Sequence, residues 1–357
     1  MSSDMDGAWI NVLTGTPLQI PLGQNINNKS GPVTDGTYAA FIALMFVGLL
    51  LSIFLCDADK VIRKDGSKVI LMKNPSWKTE FKGLWETLYN DPWILLLFPM
   101  FFASNVFYTY QNNGLNATHF NTRTRSLNSL LYWLSQIIGA VIIGYCLDYS
   151  KIRRSVRAKI SLGVLLTVTM VVWGGGYAWQ AKQVTRQEAK LPGFVAVDWE
   201  DGGERFIGPM FLYFFYGFFD AVWQTMIYWY MGALSNSGRK AANLAGFYKV
   251  SYQSFQTRVV CLRRDVLTVT KSQGIQSAGA ACFWAMDNAE VSYDSIFYAT
   301  WGLLIVALIF AAPVVWTRIQ DTVTLEEDLK FSDETVEDVI VGGAAAAALD
   351  KHEKQEA

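Results

Sequence analysis

Long apolar runs constrain this chain more than any other feature. About 20 apolar residues are enough to cross a ~30 Å hydrocarbon core as helix. Six clear runs meet that length: Thr37–Cys56, Pro92–Gln111, Leu127–Leu147, Ile160–Trp179, Phe206–Met231 and Ser295–Trp316. A further run is broken into Ala241–Lys249 and Gly274–Asn288. Only 17% of the 357 residues are charged, where a soluble domain carries about a quarter. The expected fold class is therefore an all-α integral membrane protein with about seven transmembrane helices, and its first partner is the lipid bilayer.

The same runs divide the chain. A polar N-terminal segment (1–36) precedes the first helix (37–56), and a basic connection (57–91) leads to a six-helix bundle (92–316). An acidic tail (317–357) closes the chain. The N-terminal segment has neither a basic n-region nor an apolar h-region, so it does not read as a signal peptide.

Several function classes drop out. The net charge of −1 is accompanied by no basic face, which argues against nucleic acid as a partner. The two histidines (His119, His352) and four cysteines (Cys56, Cys146, Cys261, Cys282) are scattered without metal-ligand spacing. No phosphate-cradling loop or nucleophile motif occurs. The reading is a protein without metal or cofactor, and not an enzyme.

Positive charge orients the helices. The 57–91 connection carries seven Lys/Arg, and Lys151, Arg153, Arg154 and Arg157 crowd the short link after the third run. By alternation both links share one side, and the positive-inside rule makes that side, with the tail, cytosolic. The sequence does not specify which membrane. Asn116-Ala-Thr118 is a glycosylation sequon on the predicted outer side.

Residues 250–273 break the pattern: 24 residues with four Lys/Arg and one Asp interrupt a would-be spanning helix. Each charge at mid-bilayer costs roughly 2.5–3.5 kcal/mol on insertion scales. Without them, Lys249 joins Gly274 and a helix rich in small residues results. The segment reads as a retained intron of 72 nucleotides, its Val-Ser-Tyr start and Lys-Ser-Gln end compatible with splice-site codons. The alternative is a genuine loop between two half-helices.

Asp220 is the polar residue that stands out, set among Phe218, Phe219 and Trp223 inside the fifth run. An ionisable group there is costly unless it faces a cavity or a partner. It is a candidate for proton coupling or for binding a cationic substrate, and the alternative is a carboxylate held by neighbouring hydroxyls and amides. Gln224 lies four residues on, on the same helix face. Asn105, Tyr108 and Gln111 form a stripe near the outer end of the second run, read either as an outer vestibule or as helix-end polarity. Gln136, Gln276 and Asp287 read as packing contacts. The Trp173-Gly-Gly-Gly-Tyr177 stretch permits a break or a close backbone approach, and reads either as backbone lining a cavity or, preferred, as a frayed helix end.

Several stretches together resemble a known family: PLGQNINN (21–28), LFPMFFASN (97–105), YTYQ (108–111), RTRSLN (123–128), VWGGGY (172–177) and DAVWQTMIYW (220–229). They are similar to the fungal Unc-ninety-three-like group of the major facilitator superfamily. That fold has twelve helices in two six-helix halves. The resemblance implies that the runs here correspond to helices six to twelve and that the first five are absent. It also implies a conformational latch near Gly144, Asp148, Arg153 and Arg154, although the arginines fall a residue late. The functional expectation is a transporter of a small solute, its substrate unspecified. The alternatives are a non-transporting regulatory or trafficking partner of another membrane protein, and an inserted fragment without activity. Transport by this chain alone would need the missing helices or a homodimer.

Overall fold

The computed structural model describes residues 35–52, 77–149, 151–180, 184–234, 238–249 and 274–321. Nine helical segments order them: α1 (Asp35–Ser52), α2 (Trp77–Asn90), α3 (Pro92–Ala117), α4 (Thr122–Leu147), α5 (Arg154–Gln180), α6 (Gly203–Ala233), α7 (Gly238–Lys249), α8 (Gly274–Asn288) and α9 (Tyr293–Thr317). Among the described residues the β structure is one isolated bridge, Phe120 to Val197. Within these segments α3, α4, α5, α9 and Arg205–Ala233 of α6 are long and apolar enough to cross a membrane. The chain is an all-α integral membrane protein.

Their outward faces carry large apolar side chains that water would not tolerate in such number. Ile142, Val171, Phe211 and Ile309 are between 47% and 67% exposed, as lipid-facing positions require. Inward, an aromatic cluster fills the core, with Trp173 against Tyr216 (5.0 Å between ring centroids) and Phe297 (5.3 Å). Glycines let the helices close around it. A Cβ on Gly176 of α5 would meet the Tyr216 hydroxyl of α6, and one on Gly279 of α8 would meet the Phe102 carbonyl of α3. Small residues at contacts are the usual route to tight helix packing in lipid.

Several boundaries differ from the apolar runs for local reasons. Helix α4 begins at Thr122, five residues before the apolar run, because Asn121 caps it by accepting the Thr124 N–H (3.0 Å). Helix α3 continues to Ala117 through a wider π-helical turn, Tyr110–Ala117. The Gly174–Gly176 stretch does not fray, a correction to the sequence reading. Helix α5 runs on to Gln180, and buried Trp173 anchors it beside the close approach at Gly176.

The broken run is seen as two stacked halves. Helices α7 and α8 have 12 and 15 residues, each too short to span alone. Gly274 sits against the end of α7, its would-be Cβ 2.5 Å from the Tyr248 carbonyl and 3.1 Å from the Lys249 nitrogen. With φ at +48° it holds a left-handed conformation that suits glycine. Residues 250–273, the suspected insert, lie outside the described residues, as do 1–34, 53–76 and the tail beyond 321.

Candidate functional site

The site forms where α4 and α6 approach most closely. A Cβ on Gly217 would strike the Tyr132 carbonyl and the Ser135 hydroxyl, and one on Gly139 would lie 3.1 Å from the Phe218 carbonyl. That contact holds Asp220 of α6 against Tyr132 and Gln136 of α4. Asp220 is fully buried. Its Oδ2 accepts from the hydroxyls of Tyr108 (2.7 Å) and Tyr132 (3.1 Å) and from Gln136 Nε2, and its Oδ1 accepts from Gln224 Nε2 (2.7 Å). Gln224 also donates to the Tyr108 hydroxyl (3.1 Å).

Three helices thus give one carboxylate four neutral donors, three at Oδ2 and one at Oδ1. Each donor is a phenol or an amide, so each can turn round and accept if Asp220 carries a proton. An Arg or Lys partner has no acceptor and could not do this. Gln111 extends the network: its Oε1 lies 2.9 Å from the Tyr132 hydroxyl, while its buried Nε2 has no partner. Turning that amide gives Tyr132 a donor and frees its own proton for Asp220.

Of the sequence-predicted stripe, Tyr108 and Gln111 therefore join the Asp220 cluster. Asn105 points elsewhere, accepting from Gln276 of α8 (2.7 Å). Tyr132 gave no signal on its own and Gln136 read as packing. Their spacing of four residues on α4, opposite Asp220 and Gln224 with the same spacing on α6, is the pattern that would have revealed them.

The sequon requires a correction. Asn116 is 6% exposed, its Oδ1 accepts from Asn128 (3.1 Å) and its Nδ2 faces the Arg125 carbonyl (3.4 Å). In this fold it is not an accessible glycan acceptor.

The expected latch residues are distributed differently. Gly144 and Asp148 end α4, the Asp148 N–H bonding the Gly144 carbonyl (2.9 Å), and the Asp148 side chain is exposed. Arg153 is exposed, while Arg154 donates to the Gln320 carbonyl beyond α9 (2.7 Å). A different buried cluster ties the same end together. Asp91, ahead of α3, accepts from Lys240 of α7 (2.9 Å) and Arg318 after α9 (3.3 Å).

At the opposite end, residues 184–202 form a strap. Val197 bonds the His119 carbonyl (2.8 Å), and Arg123 makes a two-pronged pair with Asp198 (2.8 and 2.7 Å). Arg186 reaches Asp287 at the end of α8 (2.5 Å). Burial opposes charge on Asp198, but Arg123, the Glu200 N–H and Asn121 hold its carboxyl down at about 2. Burial alone lowers His119 to about 4, and the ring packs on Trp179 (4.8 Å). Among the described residues no group of three or more His, Cys, Asp or Glu is arranged to hold a metal ion.

Comparison with known proteins sets these features in a family. The chain is 41% identical over 309 residues to an UNC93-like protein of Schizosaccharomyces pombe, covering 87% of this chain and 56% of that protein. The chain belongs to the UNC93-like family of membrane proteins. UNC93-like protein 1 of Arabidopsis thaliana is 35% identical over 289 residues, covering 81% of this chain and 57% of that protein. An uncharacterized membrane protein of Schizosaccharomyces pombe is 28% identical over 275 residues, covering 77% of this chain and 50% of that protein. The chain thus spans little more than half the length of these UNC93-like relatives. No family model and no solved structure matches it.

Proposed function

We propose that this UNC93-like chain carries the proton-coupling part of a transporter for a small solute, with Asp220 as the group that binds and releases the proton. One observation carries the reading. A fully buried carboxylate inside a membrane-spanning helix is held by four neutral partners, each able to switch between donor and acceptor. An ionisable residue at such depth marks a functional site by default. Tyr108 and Gln224 are only partly buried, so the cluster has an edge toward which a solute can approach.

A second reading has an observation of its own. The same four bonds satisfy Asp220 as a structural core residue, which suits a non-transporting regulator of another membrane protein. Proteoliposomes holding the purified protein and a pH-sensitive dye, challenged with panels of amino acids, sugars, polyamines and inorganic cations, separate the two. Transport predicts a solute-dependent pH change that Asp220→Asn abolishes. The regulatory reading predicts no such change with any class, and a membrane protein that copurifies with wild type.

A further inference from the structure

At the basic end of the bundle α4 and α5 enclose a cavity of about 400 Å³, within the ~300–1,000 Å³ of ordinary ligand pockets. Its floor is apolar and buried (Ile143, Leu147, Met226), and its rim (Tyr149, Ile160, Val164) is exposed on the lipid-facing side. The hydroxyl of Ser161, which also lines it, is engaged with Tyr230 (2.9 Å) and the Ala158 carbonyl (2.8 Å). The walls therefore offer hydrocarbon and almost no free polarity.

Arg157 is the charged residue in this lining. One of its terminal nitrogens donates to the Leu147 carbonyl, its guanidinium lies 5.7 Å from the Trp229 ring, and its Nε is buried without a partner. Arg154 at the same end likewise has a buried terminal nitrogen with no partner. Lys151 and Arg153 stand exposed beside them. Two acids lie nearby, exposed Asp148 and Asp321, which accepts from the Ser155 N–H (2.9 Å) and is attracted to Arg153 and Arg154, so the four basic residues outnumber them.

We propose that this cavity binds an anionic phospholipid, with one acyl chain in the apolar cavity and the headgroup phosphate on Arg157. The chemistry fits at both ends. An acyl chain fills an apolar space that opens toward hydrocarbon, and phosphate oxygens satisfy guanidinium N–H groups that otherwise stay buried and unbonded. Basic pockets between membrane helices are known to collect anionic headgroups on the positively charged side. The surplus positive charge of Lys151, Arg153 and Arg154 favours a headgroup with net negative charge over a zwitterionic one.

Native mass spectrometry of the purified full chain tests this, after incubation with phosphatidylserine and phosphatidylcholine at equal mole fraction. Wild type should retain phosphatidylserine about fivefold better, the worth of one basic residue near an anionic surface. Arg157→Gln removes the charge and Val164→Trp fills the cavity with all charges intact. Both should lower phosphatidylserine retention about fivefold. Lys159→Gln, on the neighbouring face against Trp316, should leave the preference as it is. Equal retention of the two lipids by wild type would overturn the proposal. So would unchanged phosphatidylserine retention in Val164→Trp, which decides the matter alone if Arg157→Gln lowers the thermal midpoint.

Discussion

The side chains around Asp220 differ in how much of the fold they carry, and this difference makes them separable by mutation. Tyr108 is partly buried and gives one hydrogen bond to Asp220, so Tyr108→Phe should cost about 1 kcal/mol of stability. Asp220→Asn keeps the shape but places an NH2 group among four donors. It should cost roughly 1–3 kcal/mol, the range for a buried polar group left unsatisfied. Thermal midpoints in detergent check both, and a Tyr108→Phe loss as large as that of Asp220→Asn would contradict the assigned geometry. Asp220 and Gln224 were legible in the sequence because a charge in an apolar run and its neighbour four residues on share a face. Tyr132 and Gln136 were not, since an apolar-run reading treats them as packing. Only the pairing of α4 with α6 turns them toward Asp220.

Helix contacts decide whether that network assembles. Gly217 has no room for a side chain against α4, so Gly217→Val should destabilise by about 1–3 kcal/mol through overpacking. It should also displace Tyr132, giving a larger functional loss than Tyr108→Phe. Stability and solute-dependent proton flux measured on the same preparation test this order. Helices α7 and α8 make a second prediction, since their ends meet at Lys249 and Gly274. A chain lacking 250–273 should fold with a thermal midpoint no lower than that of the full chain. A collapse of expression would instead show that the segment is needed between the half-helices. The strap predicts a pH response. His119 titrates near 4 in the fold against an ordinary 6.5, so below about 6.5 the unfolded chain takes up a proton that the fold refuses. Stability should therefore fall from about pH 6.5 to 4. Asp198 adds a further loss between its ordinary 3.8 and about 2, as its carboxylate is protonated in the unfolded chain first. His119→Phe should flatten the upper part of that slope, and a thermal midpoint series against pH measures it.

Across the whole molecule, apolar length and scarce charge made the membrane class legible, and several short stretches made the family legible. The sequence missed the ties that hold the two ends. Asp91, Lys240 and Arg318 lie far apart in the chain and sit in or beside polar connections, where charge reads as solvated surface. Arg123 and Asp198 are likewise hidden in links that hydropathy treats as loops. Such pairs exist only once helices are placed side by side. Whether Asp220 exchanges a proton as a solute crosses, as proposed, is read from proton flux in proteoliposomes. Wild type should show solute-dependent flux, and folded Asp220→Asn protein should show none. Solute movement by Asp220→Asn at the wild-type rate and with the wild-type pH dependence would contradict it.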